Sequence, residues 1–597
     1  MKSSVRIANS SGFWGDDPEA MKRQAMQGGI DYIVSDYLAE VSMSILQKQQ
    51  AKNPEAGFIL DFIKHFTEAA PYLVAHKIKV VTNAGGNNPK ACAEALLKAL
   101  EPQGWKPKIG IVEGDNIMPY LDDLVKSGEE FNHFETGKAL GEMSGRIKSA
   151  NAYIGIPALL KALQQDIDVL ITGRATDSAV AIAPMVYELG WETTDWDKIG
   201  AGMIAAHIIE CGGQATGGNF TDWHLIKDWN QMGFPIIEMH KDASFYVYKH
   251  PNTGGLVSVN TVKEQLVYEI ADPANYYSPD VIADLRFLNV TQVEEHKVLV
   301  TGAKGKSPSP YYKMSMSYEA GFKAVGSIII SGENAVEKAQ VFEKIFWERI
   351  PFKLDKTNTE MVGYNACHKS MITSSESNEI LLRFHALDTD RKKIEYFTYQ
   401  IAPLILSGPQ GVAVTGGRPD IQTVSAYWPA LLHKKFVPLS VYVFRNNSWE
   451  FIEQITVDTP QETVKEESET NILRTRSAKP IEFNEEYVKV KLHKLCLSRS
   501  GDKGNTSNIG LIARNEEIYN YLKEYLKPEF VKYWFRDLCF GEIIRYELPG
   551  LNAFNFMLYD ALDGGGTTAL RIDAQGKTFA AALLAQEIYI PTNLKIE

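Results

Sequence analysis

Along the first half of the chain, short apolar runs rich in β-branched residues alternate with loops carrying Gly or Asp and with amphipathic segments. The runs are VRIA at Val5, DYIVSDYL at Asp31, IKVVTNAGG at Ile78, KIGIVEGD at Lys108 and DVLITGRATD at Asp168, and PKACAEALLKAL at Pro89 is one of the amphipathic partners. This strand-then-helix alternation predicts parallel strands joined by crossover helices. Asp17-Pro18 and Asn88-Pro89 each set a capping side chain before a proline suited to the first helical turn, so a helix is predicted after each.

From about Gly212 the pattern shifts to glycine pairs and shorter, more aromatic strands (GGQATGGNF, SFYVYKHPNTGGLVSV). VEKAQVFEKIFWERI follows as a predicted helix and PLSVYVFRNN as a late strand. Residues 212–458 therefore read as a second α/β subdomain sharing one core with residues 1–211. The polar, charge-rich segment 459–486 has the composition of a linker. It sets off residues 487–597, where VKVKLHKLCL reads as a strand, LSRSGDKGNTSNIG as a loop, Glu517 to Tyr525 as a helix, Ile543 as the start of further strands and FAAALLAQEIYI as a terminal helix. Roughly 110 residues of mixed α and β are enough for an independent domain. The expected fold class is α/β: a mostly parallel amino-terminal sheet, a second α/β subdomain and a small α+β carboxy-terminal domain.

Composition narrows the function. The chain has 597 residues, 45% hydrophobic and 23% charged, the proportions of a soluble globular protein of several domains. Its 62 Lys and Arg against 74 Asp and Glu leave a net charge of −12, which argues against nucleic acid and against a basic membrane-surface patch. A small-molecule substrate is the expected partner, bound by a homo-oligomer. The five cysteines (Cys92, Cys211, Cys367, Cys496, Cys539) form no CxxC pair, which suits a reducing compartment. The amino terminus lacks the apolar stretch of a signal peptide and no apolar run approaches membrane-spanning length, so a cytoplasmic protein is expected.

Candidate chemistry gathers where the strands end. In open parallel sheets ligands collect beyond the carboxyl ends of the strands. Those loops carry Asp16 and Asp17, then Asp36 and Glu40, then Asn83 with Gly85 and Gly86, then Glu113 and Asp115, then Gly173, Arg174 and Asp177. We expect Asp16, Asp36, Asn83, Glu113, Arg174 and Asp177 to line one pocket; the plain alternative is that these residues only cap helices and end strands. Asp177, Glu113 or Glu210 could serve as a base, and Arg174 suits a substrate carboxylate. Asn83, Gly85 and Gly86 offer amide donors. HIIEC brings His207, Glu210 and Cys211 together without a further ligand pair, so no metal is expected; Cys211 is either a nucleophile or a cysteine at a helix end. No cofactor is expected. GxGxxG is absent after the first strand, and KGKS at Lys304 has Val300 where a phosphate-binding loop needs glycine. In LSRSGDKGNTSNIG, Gly501 and Gly504 frame Arg499, Asp502 and Lys503 among Ser498, Ser500, Thr506 and Ser507. That set has the chemistry of an anion cradle reaching back to the pocket, the alternative being a solvated turn.

GFWGDD, DYIVSDYLAE, VVTNAGGNNP, IVEGD, LITGRATDSAVAIAPMVYELGW, HIIECGGQATGGNF, GFPIIEM, NTGGLVSVNTVKEQLVYEIADPANYYSPDV and SRSGDKGNTSNIG follow one another in this order over nearly the whole chain. The set resembles the acyclic terpene utilisation protein AtuA family, including its small carboxy-terminal domain, which the family describes as ferredoxin-like. The chain differs at Asn505, where the family pattern has an acid, and near Ala243, where glycine is common. The resemblance implies breakdown of acyclic isoprenoids such as citronellol and geraniol, with intermediates carried as CoA thioesters, and a hydratase or carbon–carbon lyase step on a branched hydroxyacyl-CoA. Two functions are compatible with it. One is a lyase or hydro-lyase; the other is a non-catalytic subunit that binds a CoA-linked intermediate or an acyl-CoA carboxylase or lyase partner. Polar loops at successive strand ends favour the enzyme, because an adaptor needs a surface rather than a pocket.

Overall fold

The computed structural model describes residues 2–39, 42–372, 377–457, 472–475 and 487–596. Each apolar run of the first half forms a strand: β1 (Ser4–Ser11), β2 (Tyr32–Ser35), β3 (Lys79–Thr82), β4 (Ile109–Glu113) and, after the additional β5 (Ile147–Ala152), β6 (Val169–Thr172). β1, β2, β3, β6 and β4 lie side by side in that order, all parallel. β2 and β6 are buried at every position, as strands covered on both faces must be. The helices Ala20–Gln27, Leu60–His76 and Pro89–Leu100 connect β1, β2, β3 and β4 in turn. Phe62, Phe66 and Leu73 of the second helix pack in one core with Ile33, Val80, Ile111 and Ile171 of the strands. Each such buried Phe or Leu stabilises the fold by roughly 1.5–3 kcal/mol.

The chain passes from β3 to β4 and then returns to lay β6 between them. Strand order departs from sequence order there, the kind of position beyond whose carboxyl ends ligands collect in open α/β sheets.

The sheet does not stop with the first half. β7 (Pro235–His240) pairs antiparallel with β1, and β8 (Phe245–Lys249), Lys297–Thr301 and Asn289–Glu294 extend that edge. Leu439–Arg445 and Ser448–Ile455 extend the other beyond β4. Among the described residues this makes one eleven-stranded mixed sheet, parallel at its centre and antiparallel at both flanks. Much of the segment read as a second subdomain thus completes the first sheet.

Packing divides the chain into two compact units, one of Met1–Tyr318, Tyr427–Thr470 and Glu547–Ala553, the other of Glu319–Ala426, Asn471–Tyr546 and Phe554–Glu597. In the second, Glu379–Asp388 pairs with Lys356–Val362 on one side and with residues 322–331 of the long strand Tyr311–Ser331 on the other. The predicted helix Ala335–Glu348 packs on these strands through Phe342 and Phe346.

Several local expectations are corrected. Asn88 does cap its helix, accepting from Ala91 N at 3.3 Å with Pro89 in the first turn. The helix after Asp17, however, begins only at Ala20 without a side-chain cap, and Asp17 pairs with Arg23. LSRSGDKGNTSNIG is no loop: Cys496–Lys503 and Thr506–Ala513 form an antiparallel hairpin turning at Gly504, whose φ is +63°. VKVKLHKLCL breaks after Lys491, and FAAALLAQEIYI divides into a helix, Phe579–Leu584, and a strand, Glu587–Pro591, which pairs with Tyr487–Lys491. The segment read as a linker lies outside the described residues except for 472–475, where Leu473–Thr475 pairs with Ile543–Arg545. Among the described residues, no helix is long and apolar enough to cross a membrane.

Candidate functional site

Asp36 directly follows β2 and Asn83 directly follows β3, so parallel register sets them next to each other. Asn83 Nδ2 donates to Asp36 Oδ1 at 2.5 Å, while Asn83 Oδ1 accepts from Tyr37 N at 3.0 Å. Burial raises the Asp36 carboxyl well above the usual carboxylate range, and the nearby Asp177 raises it further; Arg174, Asn83 and the Leu38 amide oppose this without cancelling it.

Arg174, two residues beyond β6, is only 2% exposed. Its backbone N–H donates to Asp115 Oδ2 at 2.9 Å, and Asn151 Nδ2 donates to the same oxygen at 2.8 Å. A Cβ at Gly173 would lie 2.0 Å from Asp115 Oδ1, so only glycine admits the carboxylate there. The guanidinium stacks 4.1 Å above the Tyr153 ring, and Nη1 donates to Asp177 Oδ1 and to Ala175 O, both at 3.0 Å. Nε meets no acceptor among the described residues. Asp177 is partly exposed, the most open member of this set.

A second group adjoins the first. The GFWGDD loop closes on the HIIEC segment so tightly that a Cβ on Gly12 would lie 2.7 Å from Glu210 O and 3.0 Å from Cys211 Cα. Asp16 accepts from Gly12 N and Asp17 N, each at 2.8 Å, and burial raises its carboxyl above the usual range. His207, 1% exposed, sets Nδ1 at 2.9 Å from Glu210 Oε1 and 3.3 Å from the Tyr276 hydroxyl. Burial drives the Tyr276 phenol far above its ordinary value, and Glu210, Asp177, Glu269 and Cys211 add to it, so both groups act on one side chain.

Other expected residues fall elsewhere. Glu113 turns to the Lys90 backbone N–H at the start of Pro89–Leu100, and burial first, then Asp115, raises its carboxyl. Gly85 and Gly86 are required by packing: a Cβ on Gly85 would sit 2.5 Å from Thr172 O, and Gly86, at φ +54°, spends its N–H on Asn83 O at 3.1 Å. Arg499, 4% exposed, is built into the hairpin strand, and Asp502 lies 3.5 Å from Lys577 Nζ. Only Lys503, beside the turn, is exposed, so these three form no anion cradle. Glu40 lies outside the described residues. Tyr153 and Tyr276 were not among the expected residues, for no local pattern in AYIG or NYYS marks a contact with Arg174 or His207.

A family model described as acyclic terpene utilisation family protein AtuA matches residues 5–443. The chain belongs to that family. A second model, the AtuA ferredoxin-like domain, matches residues 490–589. No curated protein and no solved structure matches the chain. Membership in the AtuA family places the chain in acyclic terpene utilisation, a catabolic role. The AtuA span holds every strand-end residue from Asp16 to Cys211 and also Tyr276, whereas Arg499, Asp502 and Lys503 fall in the ferredoxin-like span.

Proposed function

We propose that this chain is a catabolic enzyme of acyclic terpene breakdown, a hydro-lyase or lyase acting on a branched hydroxyacyl thioester or the corresponding acid. The observation that carries the reading is Asp177 held at 3.0 Å by the buried Arg174 guanidinium, with the Asp36 carboxyl close enough for both charges to act on it. Removing a proton beside a carbonyl needs a base, a cation for the enolate and an acid for the leaving oxygen. Asp177, partly exposed and held by Arg174, takes the Cα proton. The electron pair moves onto the carbonyl oxygen, whose charge the Arg174 guanidinium stabilises. The pair then returns from the oxygen, the Cα–Cβ double bond forms and the β-hydroxyl leaves as water with the proton that burial keeps on Asp36, so Asp36 ends as carboxylate and Asp177 as acid. The reverse sequence hydrates an enoyl ester.

Incubation of the pure protein with branched hydroxyacyl-CoA and enoyl-CoA esters, followed by mass spectrometry, tests this. Turnover by the protein alone is expected, falling about 10²- to 10⁴-fold in Asp177→Asn. Esters that bind and return unchanged would leave the non-catalytic binding subunit as the function.

A further inference from the structure

Tyr276 lies 69 residues beyond His207 in sequence, yet its hydroxyl meets His207 Nδ1 at 3.3 Å with the rings edge to face, centroids 5.3 Å apart. Nδ1 is also 2.9 Å from Glu210 Oε1. One ring nitrogen cannot donate to a carboxylate and accept from a phenol at once. A carboxylate at Glu210 fixes the hydrogen on Nδ1, which then donates mainly to Glu210 and, in a three-centre arrangement, to the Tyr276 oxygen. The phenol is thereby an acceptor towards His207 and keeps its own hydrogen for another partner. Among the described residues the Tyr276 hydroxyl makes no hydrogen bond other than this contact. His207 Nε2, sealed in the core without a partner among the described residues, holds the imidazole in that tautomer rather than opening a second path to solvent.

The direction in which the hydrogen is available matters because Asp177 and Cys211 both act on the phenol. Asp177 is the base of the function proposed above. A hydroxyl whose hydrogen His207 does not take, within electrostatic reach of that base, is available to donate to an oxygen that gains charge as the base works.

We infer that Tyr276 is a catalytic residue of this site, donating a hydrogen bond to the developing oxyanion of a branched acyl substrate, with His207 and Glu210 as its positioning residues. The inference rests on the function proposed above and is separable from it. Tyr276→Phe keeps the ring against His207 and deletes only the donor. With a branched hydroxyacyl-CoA ester, this variant is expected to bind within about threefold of the parent and to turn over about 10²- to 10³-fold more slowly. His207→Asn, which frees the phenol to rotate, is expected to lower kcat with KM little changed and to shift the pH profile, which loss of packing alone would not do.

Asp177→Asn run in parallel distinguishes the failures. If Asp177→Asn is impaired and Tyr276→Phe is not, the tyrosine assignment is overturned and the reaction stands; if Asp177→Asn retains full activity, the reaction itself falls. Should no ester be turned over, the phenol is read directly by NMR with tyrosine labelled with ¹³C at Cζ. The resonance deleted by Tyr276→Phe is expected to move when 3-methylbut-2-enoate, a branched unsaturated carboxylate, is added. A resonance that stays in place overturns the assignment.

Discussion

Arg174→Lys keeps a charge at the site but removes the planar fork that stacks on Tyr153 and the Nε that has no acceptor among the described residues. An ammonium cannot reproduce that geometry. A loss of about 1.5–3 kcal/mol in the affinity for a branched acyl ester is expected, measured by calorimetric titration. Unchanged affinity would reduce Arg174 to a structural ion pair. A different residue pair governs pH. Asp280 Oδ1 accepts from Ile156 N at 2.9 Å, and burial raises its carboxyl to about 6. Lys434, 1% exposed, donates to Pro279 O at 2.7 Å, and burial lowers its ammonium to about 8. Between about pH 4 and 6 the folded chain holds a proton on Asp280 that the unfolded chain has lost, so stability falls as pH rises; above about pH 8 the unfolded chain holds the extra proton on Lys434, so stability rises. Denaturant titrations should show Asp280→Asn flattening the acid limb, by an amount on the order of 3 kcal/mol, and Lys434→Met flattening the alkaline one.

The hairpin Cys496–Lys503 with Thr506–Ala513 shows where reading elements from sequence reaches its limit. Gly, Ser and alternating charge are turn signals when they face water, yet Ser498, Arg499, Ser500, Ser507 and Asn508 are all buried. Ser498 Oγ donates to Gly510 O within the hairpin at 2.7 Å, and Asn508 Nδ2 donates to Asn555 Oδ1 of a remote strand at 2.9 Å. That pairing depends on remote strands and leaves no local trace. Arg499→Ala is accordingly expected to cost roughly 1–3 kcal/mol of stability in thermal unfolding, while Lys503→Ala, beside the turn, changes it by less than about 0.5 kcal/mol. By contrast the five central strands were legible, because a strand covered on both faces must be apolar throughout and VLIT at Val169 could be little else. FAAALLAQEIYI was misread for the complementary reason that an apolar run of its length suits a helix or a strand equally. At the site, Asp36, Asn83, Arg174 and Asp177 were legible from their place after strands, whereas Tyr153 and Tyr276 depended on tertiary contacts.

At the scale of the whole molecule, chain order and packing order disagree. The second compact unit takes Glu319–Ala426 together with most of the tail. Within it, Ile572 N donates to the buried Glu360 Oε1 at 2.7 Å, Asn358 Nδ2 to Leu570 O at 2.9 Å, and Lys356 Nζ pairs with Asp563 Oδ1 at 2.9 Å. A fragment ending at residue 458 loses all three. We expect it to unfold at lower denaturant than the full chain and less cooperatively, with co-expressed residues 487–597 restoring it; a fragment as stable as the full chain would refute this interlocking. The strand order of the first unit has a further consequence, for synthesis. Among the described residues β4 pairs only with β6 and with Leu439–Arg445, and the ribosome makes both after it. A nascent chain that has passed Glu113 carries a finished strand with neither neighbour, and one edge stays open until Val169 emerges and the other until Leu439 does. Open strand edges recruit other chains. Slow codons between these points therefore leave the same amino-acid sequence less soluble than slow codons placed after Arg445.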